Sequence, residues 1–115
     1  MRLSESINKT ITKLMEGDEN IFVVGEDILD PYGGAFKVTK GLSLKFPDRV
    51  ITTPISEASI VGFASGMAMH RKKVIVEIMF GDFLGLAFDQ ILNHIAKFRW
   101  LFNNVEIPLI IRTPM

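Results

Sequence analysis

The stretch KKVIVEIMF, Lys72 to Phe80, decides the fold of this chain. A short apolar run rich in β-branched residues and stopped by Gly81 reads as a strand buried on both faces, the pattern of a parallel sheet. Upstream, NIFVVGED repeats the pattern, with Ile21 to Val24 apolar and Gly25 as the stop. RVITT after Arg49 is a briefer strand, and IPLIIRT near the end is a fourth. Helical patterns fall between them. Ser4 is a good N-cap for a helix with Ile7, Ile11, Leu14 and Met15 on one face, closed by Gly17. Val38 to Phe46 reads as a short helix ended by Pro47, and a small-residue helix begins near Ser56. After Gly81 the periodicity predicts one long amphipathic helix to about Phe102, with Phe88, Ile91, Leu92, Ile95 and Phe98 as its apolar face. Strands alternating with helices make an α/β protein, a helix/sheet/helix sandwich of three layers around a mainly parallel sheet.

Composition narrows the function classes. The chain has 115 residues, enough for at most one domain, and 48% hydrophobic with 23% charged residues is ordinary for a globular core. Thirteen basic and thirteen acidic residues cancel, which argues against a nucleic-acid or anionic-membrane partner. No cysteine is present, so a disulfide scaffold and a thiolate metal site are excluded, and a reducing cytoplasm suits the chain. The N-terminal MRLSESINKTITKLMEG has no apolar core of signal-peptide length, and no uncharged run approaches the roughly 20 residues of a membrane span. The expected place is therefore the cytoplasm. The sequence stops one proline past a strand end, where open α/β sheets gather ligands, so part of a site is expected to be missing.

Few residues carry chemistry by motif. His70 and His94 have no partner at metal-ligand spacing and read as surface or packing residues. Gly33-Gly34 reads as a turn within DPYGGAF, Asp30 to Phe36. Gly81-Asp82 with the later Asn103-Asn104 mimics the Gly-Asp-Gly…Asn-Asn motif that holds magnesium diphosphate in thiamine enzymes. The third position is Phe83, whose side chain blocks close backbone approach to phosphate, so the match is chance. The strand-end acids are more telling: Glu26 and Asp27 after the first strand, Glu57 after the second, Asp82 after the third. On local sequence alone Glu57 is more simply a first-turn acid that favours the helix dipole, and Glu26-Asp27 a solvated turn.

Ordered blocks reverse that balance for Glu57. GEDILDPYGGAFKVTKGL, FPDRVITTPISEASIVGFASGMAM, VEIMFGDF, AFDQILNHIAKFRW and PLIIRTPM together resemble the beta subunit of the E1 component of 2-oxo acid dehydrogenases, in its transketolase-like pyrimidine-binding domain. The resemblance runs from about Ile21 to Met115, so residues 1–115 would be the N-terminal part of that single domain, with its remainder, a Gly-rich segment bearing a histidine, and a C-terminal domain absent. It implies a thiamine diphosphate enzyme whose cofactor lies between this domain and a diphosphate-binding domain on an E1 alpha subunit, which would also hold magnesium. A second beta subunit, a lipoyl acyltransferase E2 that accepts the acyl group, and a small 2-oxo acid would complete its partners.

Residue by residue, the resemblance makes Glu57 the essential acid of TPISE, sharing a proton with the aminopyrimidine nitrogen N1′. Phe83 matches the aromatic ring that stacks on the aminopyrimidine; packing in the core is its plainer reading. Ile55 would line the same pocket, and Glu26 matches an acid close to Glu57 in a chain of carboxylates and water between paired sites. The backbone carbonyl of Leu109 matches a position that helps hold potassium in some relatives. The loop from Tyr32 to Phe36 lies near the family's site with no assignable chemistry, and the helix bearing Gly62, Ala64, Ser65, Gly66 and Ala68 is expected to pack on a partner subunit. Alternatives are a transketolase-like thiamine diphosphate carboligase and a non-catalytic α/β interaction domain.

Overall fold

The computed structural model describes residues 2–115. Four strands, β1 (Ile21–Gly25), β2 (Val50–Thr52), β3 (Lys73–Glu77) and β4 (Leu109–Arg112), form one sheet in the order β2-β1-β3-β4, and every pairing is parallel. β1 and β3 lie in the middle, and this is why Ile21 to Val24 and Val74 to Val76 are apolar runs. Successive side chains serve opposite faces. Val23 and Ile75 enter a core with Ile11, Met15, Ile28, Val38 and Leu42, whereas Val24, Val74 and Val76 enter a second core with Ile60, Val61, Ala64 and Ala68. Two cores on two faces make the expected three layers.

Helix α1 (Leu3–Gly17) covers the first face through Ile11 and Met15, both buried, with Ile7 packed partly against them. It begins earlier than a Ser4 cap predicts: Arg2 is the N-cap, and its backbone N–H donates to the Glu5 carboxylate at 3.1 Å. Leu14, assigned to the apolar face by periodicity, is exposed instead. Of the predicted helix from Val38 to Phe46 only α2 (Leu42–Lys45) is α-helical. Gly41 at φ +83° precedes it, and the segment before it is held by the buried Thr39 hydroxyl, which donates to the Ile28 carbonyl at 2.8 Å.

Helix α3 (Glu57–Met69) covers the second face. Its small residues let it approach its own sheet: Ala64, Ser65 and Ala68 are buried within the chain, and a side-chain carbon added at Gly62 would lie 3.0 Å from Gln90 Oε1. Part of the close packing of these small residues is therefore made inside this chain. Only Gly66 has open space, with nothing within 4 Å.

The long amphipathic helix predicted after Gly81 is three segments: a 3₁₀ stretch (Gly81–Ala87), a π-helical stretch (Gln90–Ile95) and α4 (Ala96–Leu101). Winding that departs from the α-period rotates the side chains off the predicted stripe. Leu84, Ile91 and Ile95 pack on the core, while Phe88 and Leu92 face outward. Among the described residues no helix is long and apolar enough to cross a membrane.

Candidate functional site

Because all four strands are parallel, their carboxyl ends share one edge of the sheet, and the strand-end acids are delivered there. Glu26 directly follows β1, and Glu57 is the first residue of α3, five residues after β2 ends at Thr52. β1 and β2 are neighbours in the sheet, so the two acids arrive on adjacent tracks. The turn between β2 and α3 is anchored by the Thr53 N–H, which donates to the Gly25 carbonyl at 3.0 Å, and Ile60 N–H donates to the Ser56 carbonyl at 2.9 Å to start the helix. Ser56 does not cap with its side chain; its hydroxyl donates to Ser59 Oγ at 2.8 Å.

Both acids are largely buried as residues, Glu57 at 7% exposure and Glu26 at 5%. Neither carboxyl group has a hydrogen-bonding or ion-pairing partner among the described residues. The Glu26 carboxyl is pushed up from the ordinary carboxylate range by burial first, then by the charges of Glu57 and of Asp27. An uncompensated buried carboxylate is unfavourable, and a pair of them more so. Carboxyl groups perturbed in this way cluster at functional sites. The first-turn dipole reading of Glu57 accounts for its position but not for its burial. The solvated-turn reading fails for Glu26 and holds for Asp27, which is exposed.

The other predicted residues are less tightly gathered. Phe83 sits in the 3₁₀ stretch after β3, is 37% exposed, and meets Phe80 edge to face with ring centroids 5.9 Å apart. Its ring is therefore not simple core. Ile55 is 79% exposed on the turn before α3. A cleft of about 320 Å³ between β2 and α3 is lined by Ile51, Thr53, Pro54, Ile60 and Phe63, and neither Glu57 nor Phe83 lines it. Leu109 opens β4 and lies at the amino end of the sheet, opposite the acids. Among the described residues no three His, Cys, Asp or Glu side chains gather as a metal site. His70 is exposed at the end of α3, and His94 packs its ring against Phe98 at 5.3 Å. Gly33 and Gly34, both at φ +72°, serve a turn in which a side-chain carbon would strike Lys40 Cα at 2.8 Å or Thr39 Oγ1 at 2.6 Å.

One feature of this edge escaped sequence reading. Glu77, the last residue of β3, is 3% exposed and ion-paired with Arg112, its register partner on β4. Burial pushes the Glu77 carboxyl up to about 7, with Arg112 pulling it only part of the way back. The signal was available: a carboxylate inside an apolar strand must find a cation or a proton.

Comparison with known proteins agrees with this architecture. The chain is 43% identical to the acetoin:2,6-dichlorophenolindophenol oxidoreductase subunit beta of Cupriavidus necator over 93% of its length, and 43% identical to the pyruvate dehydrogenase E1 component subunit beta of Cyanidium caldarium over 99%. It is 39% identical to the 2-oxoisovalerate dehydrogenase subunit beta of Bacillus subtilis, again over 99%. In each case it spans 35% of the relative's length. The profile of the transketolase pyrimidine-binding domain matches residues 1–115, and with the parallel sheet and its strand-end acids in place, the chain belongs to the transketolase pyrimidine-binding domain family.

Proposed function

We propose that this chain is the pyrimidine-binding part of a thiamine diphosphate-dependent 2-oxo acid dehydrogenase E1 beta subunit, and that Glu57 is its acid for cofactor activation. The observation that carries the reading is the pair of buried, unpartnered carboxyl groups, Glu57 and Glu26, at the carboxyl edge of the sheet. The residues present fit an aminopyrimidine: a buried acid to hold a proton at ring nitrogen N1′, a second acid to keep that proton mobile, and the half-exposed Phe83 ring for stacking. When bound, thiamine diphosphate supplies a thiazolium carbon that adds to the 2-oxo group and takes up the electrons released with carbon dioxide. Glu57 holds or yields the proton at N1′ from a largely buried residue position at the sheet edge. Glu26, whose proton affinity is raised first by burial and then by the charge of Glu57, exchanges a proton with it. Ile55 forms the solvent-side rim.

The diphosphate and its magnesium belong, in this reading, to an E1 alpha subunit, and residues 1–115 to the first part of a longer domain whose later part and C-terminal domain complete the subunit. A second beta subunit and a lipoyl acyltransferase E2 are its further partners, in a cytoplasm whose reducing conditions suit a chain without cysteine. The Leu109 carbonyl is a candidate contact for a structural potassium. The names of the relatives support an oxidoreductase over a sugar carboligase or a non-catalytic domain. The 43% identity to an acetoin oxidoreductase subunit favours one second reading, acetoin as substrate in place of a 2-oxo acid. Dichlorophenolindophenol reduction by the assembled enzyme with pyruvate, branched 2-oxo acids and acetoin separates the two.

The test of Glu57 is Glu57→Gln in the assembled enzyme. C2 proton exchange of bound cofactor should fall by about 10²-fold or more, while cofactor affinity changes by a few-fold at most. Exchange at the wild-type rate would remove Glu57 from its role.

A further inference from the structure

We propose that Glu77 and Arg112 are positioning residues for Phe83: their buried ion pair locks the end of β3 to the end of β4 and so holds the segment Ile78–Phe83 at the site edge. The inference rests on the reading of Phe83 as the ring beneath the aminopyrimidine.

Three contacts follow one another along the two chain segments. The Arg112 guanidinium meets the Glu77 carboxylate on the last rung of the β3–β4 ladder. The Ile78 N–H then donates to the Arg112 carbonyl at 2.9 Å, and the Gly81 N–H to the Pro114 carbonyl at 2.8 Å. A side-chain carbon at Gly81 would sit 3.0 Å from Met115 Cγ and 3.4 Å from the Pro114 oxygen, so the two segments are in full contact there. Phe83 follows at once, its N–H donating to the Phe80 carbonyl at 3.1 Å and its ring braced edge-on by Phe80.

β4 is only four residues long, so its apolar pattern alone specifies register weakly. A slip of one residue would pull Arg112 off Glu77 and leave a carboxylate buried without a partner, which is strongly unfavourable. The pair therefore pins the register at the rung nearest the site. On the other side of Glu77 there is no slack, because a carbon added at Gly25 would lie only 2.6 Å from the Glu77 carbonyl oxygen. Glu77 is wedged between β1 and Arg112, and what leaves it toward Phe83 starts from a fixed point.

A double-mutant cycle for thiamine diphosphate binding to the assembled enzyme tests this. Phe83→Ala and Glu77→Gln should each weaken affinity roughly tenfold, and the double variant should be no weaker than Phe83→Ala alone, because both remove the same contact. At saturating cofactor, Glu77→Gln should keep kcat within about twofold, a split that mere loss of folded protein would not produce. If Glu77→Gln does not fold, Arg112→Lys, which retains the charge but not the planar fork, carries the same cycle with a smaller loss. Additive losses, or unchanged affinity in the Glu77 or Arg112 variant, overturn the positioning role while leaving Phe83 on the cofactor. Unchanged affinity in Phe83→Ala overturns both.

Discussion

Replacing Gly25 by alanine is the sharpest single-atom challenge to this sheet. The new carbon would lie 2.6 Å from the Glu77 carbonyl oxygen, 3.0 Å from Glu77 Cβ and 3.3 Å from Ile28 Cγ2. Ordinary contact begins near 3.4 Å, so β1 and β3 must part by most of an ångström at their paired residues Gly25 and Glu77. The obstacle is backbone in a central ladder and cannot rotate away, which puts the overpacking near the upper end of its usual range, about 3 kcal/mol. Alanine restrains the unfolded chain and recovers about 0.5–1 kcal/mol. The net loss is about 2 kcal/mol, or roughly 8 °C of melting temperature for a chain of this size. Displacement also reaches the site, because Gly25 immediately precedes Glu26 and its carbonyl accepts from Thr53 on the way to Glu57. Thermal unfolding of Gly25→Ala beside Gly66→Ala measures the clash. Gly66 has nothing within 4 Å, so alanine there should raise stability by about 0.5–1 kcal/mol through helix propensity alone. Equal shifts in the two variants, or a Gly25→Ala protein that melts at or above the wild type, would refute the reasoning.

Glu77 binds its proton more tightly in the folded chain than in the unfolded one, about 7 against 4.5, so the stability it contributes is full below about pH 4.5 and lost as pH rises through 7. The stability of wild type relative to Glu77→Gln should therefore fall between acid and mildly alkaline pH, and a pH-independent difference would contradict the assignment. At the Asp30–Phe36 turn, Gly33→Ala adds a clash with Lys40 Cα at 2.8 Å to the strain of φ +72°, whereas Gly41→Ala at φ +83° meets open space. Urea unfolding should find Gly41→Ala lower by about 1 kcal/mol and Gly33→Ala lower by about 2–3 kcal/mol, and equal losses would mean that conformation alone matters at both sites.

The elements that could be read from sequence are those whose physics is local or two-sided. β1 and the middle of β3, Val74 to Val76, are buried on both faces, so these stretches are apolar without alternation, and the parallel sheet followed. The stretch from Gly81 to Leu101 could not be read this way. Its apolar residues fit an α-period, but Gly81 and Gly85 weaken the helix, and the path is set by where Leu84, Ile91 and Ile95 meet the sheet. Tertiary packing chose a 3₁₀ turn and a π-helical turn, and the same choice turned Phe88 and Leu92 outward. Small residues on α3 signalled close approach, but the signal carries no address: Ala64 and Ala68 share a core with Val24, Val74 and Val76 of the chain's own sheet.

The site shows the same division. Glu57 at the start of a helix has a sufficient local explanation in the dipole, and only the ordered blocks around it argued for more. Its burial depends on the strand order. Glu26 and Glu57 are 31 positions apart in sequence, and they converge because β2 lies beside β1 and not at the far edge of the sheet. Local spacing holds no record of that adjacency. Asp82, which follows β3 and looks equivalent in sequence, is exposed, so occupying a strand end is not enough. The acid that β3 does bury is Glu77, and it is satisfied by Arg112 from the next strand. The edge thus separates its carboxylates by their neighbours: Glu77 is given a cation and becomes structural, while Glu26 and Glu57 are given each other. The proposed role in cofactor activation rests on that difference: two neighbouring acids with low exposure and, among the described residues, no cation between them.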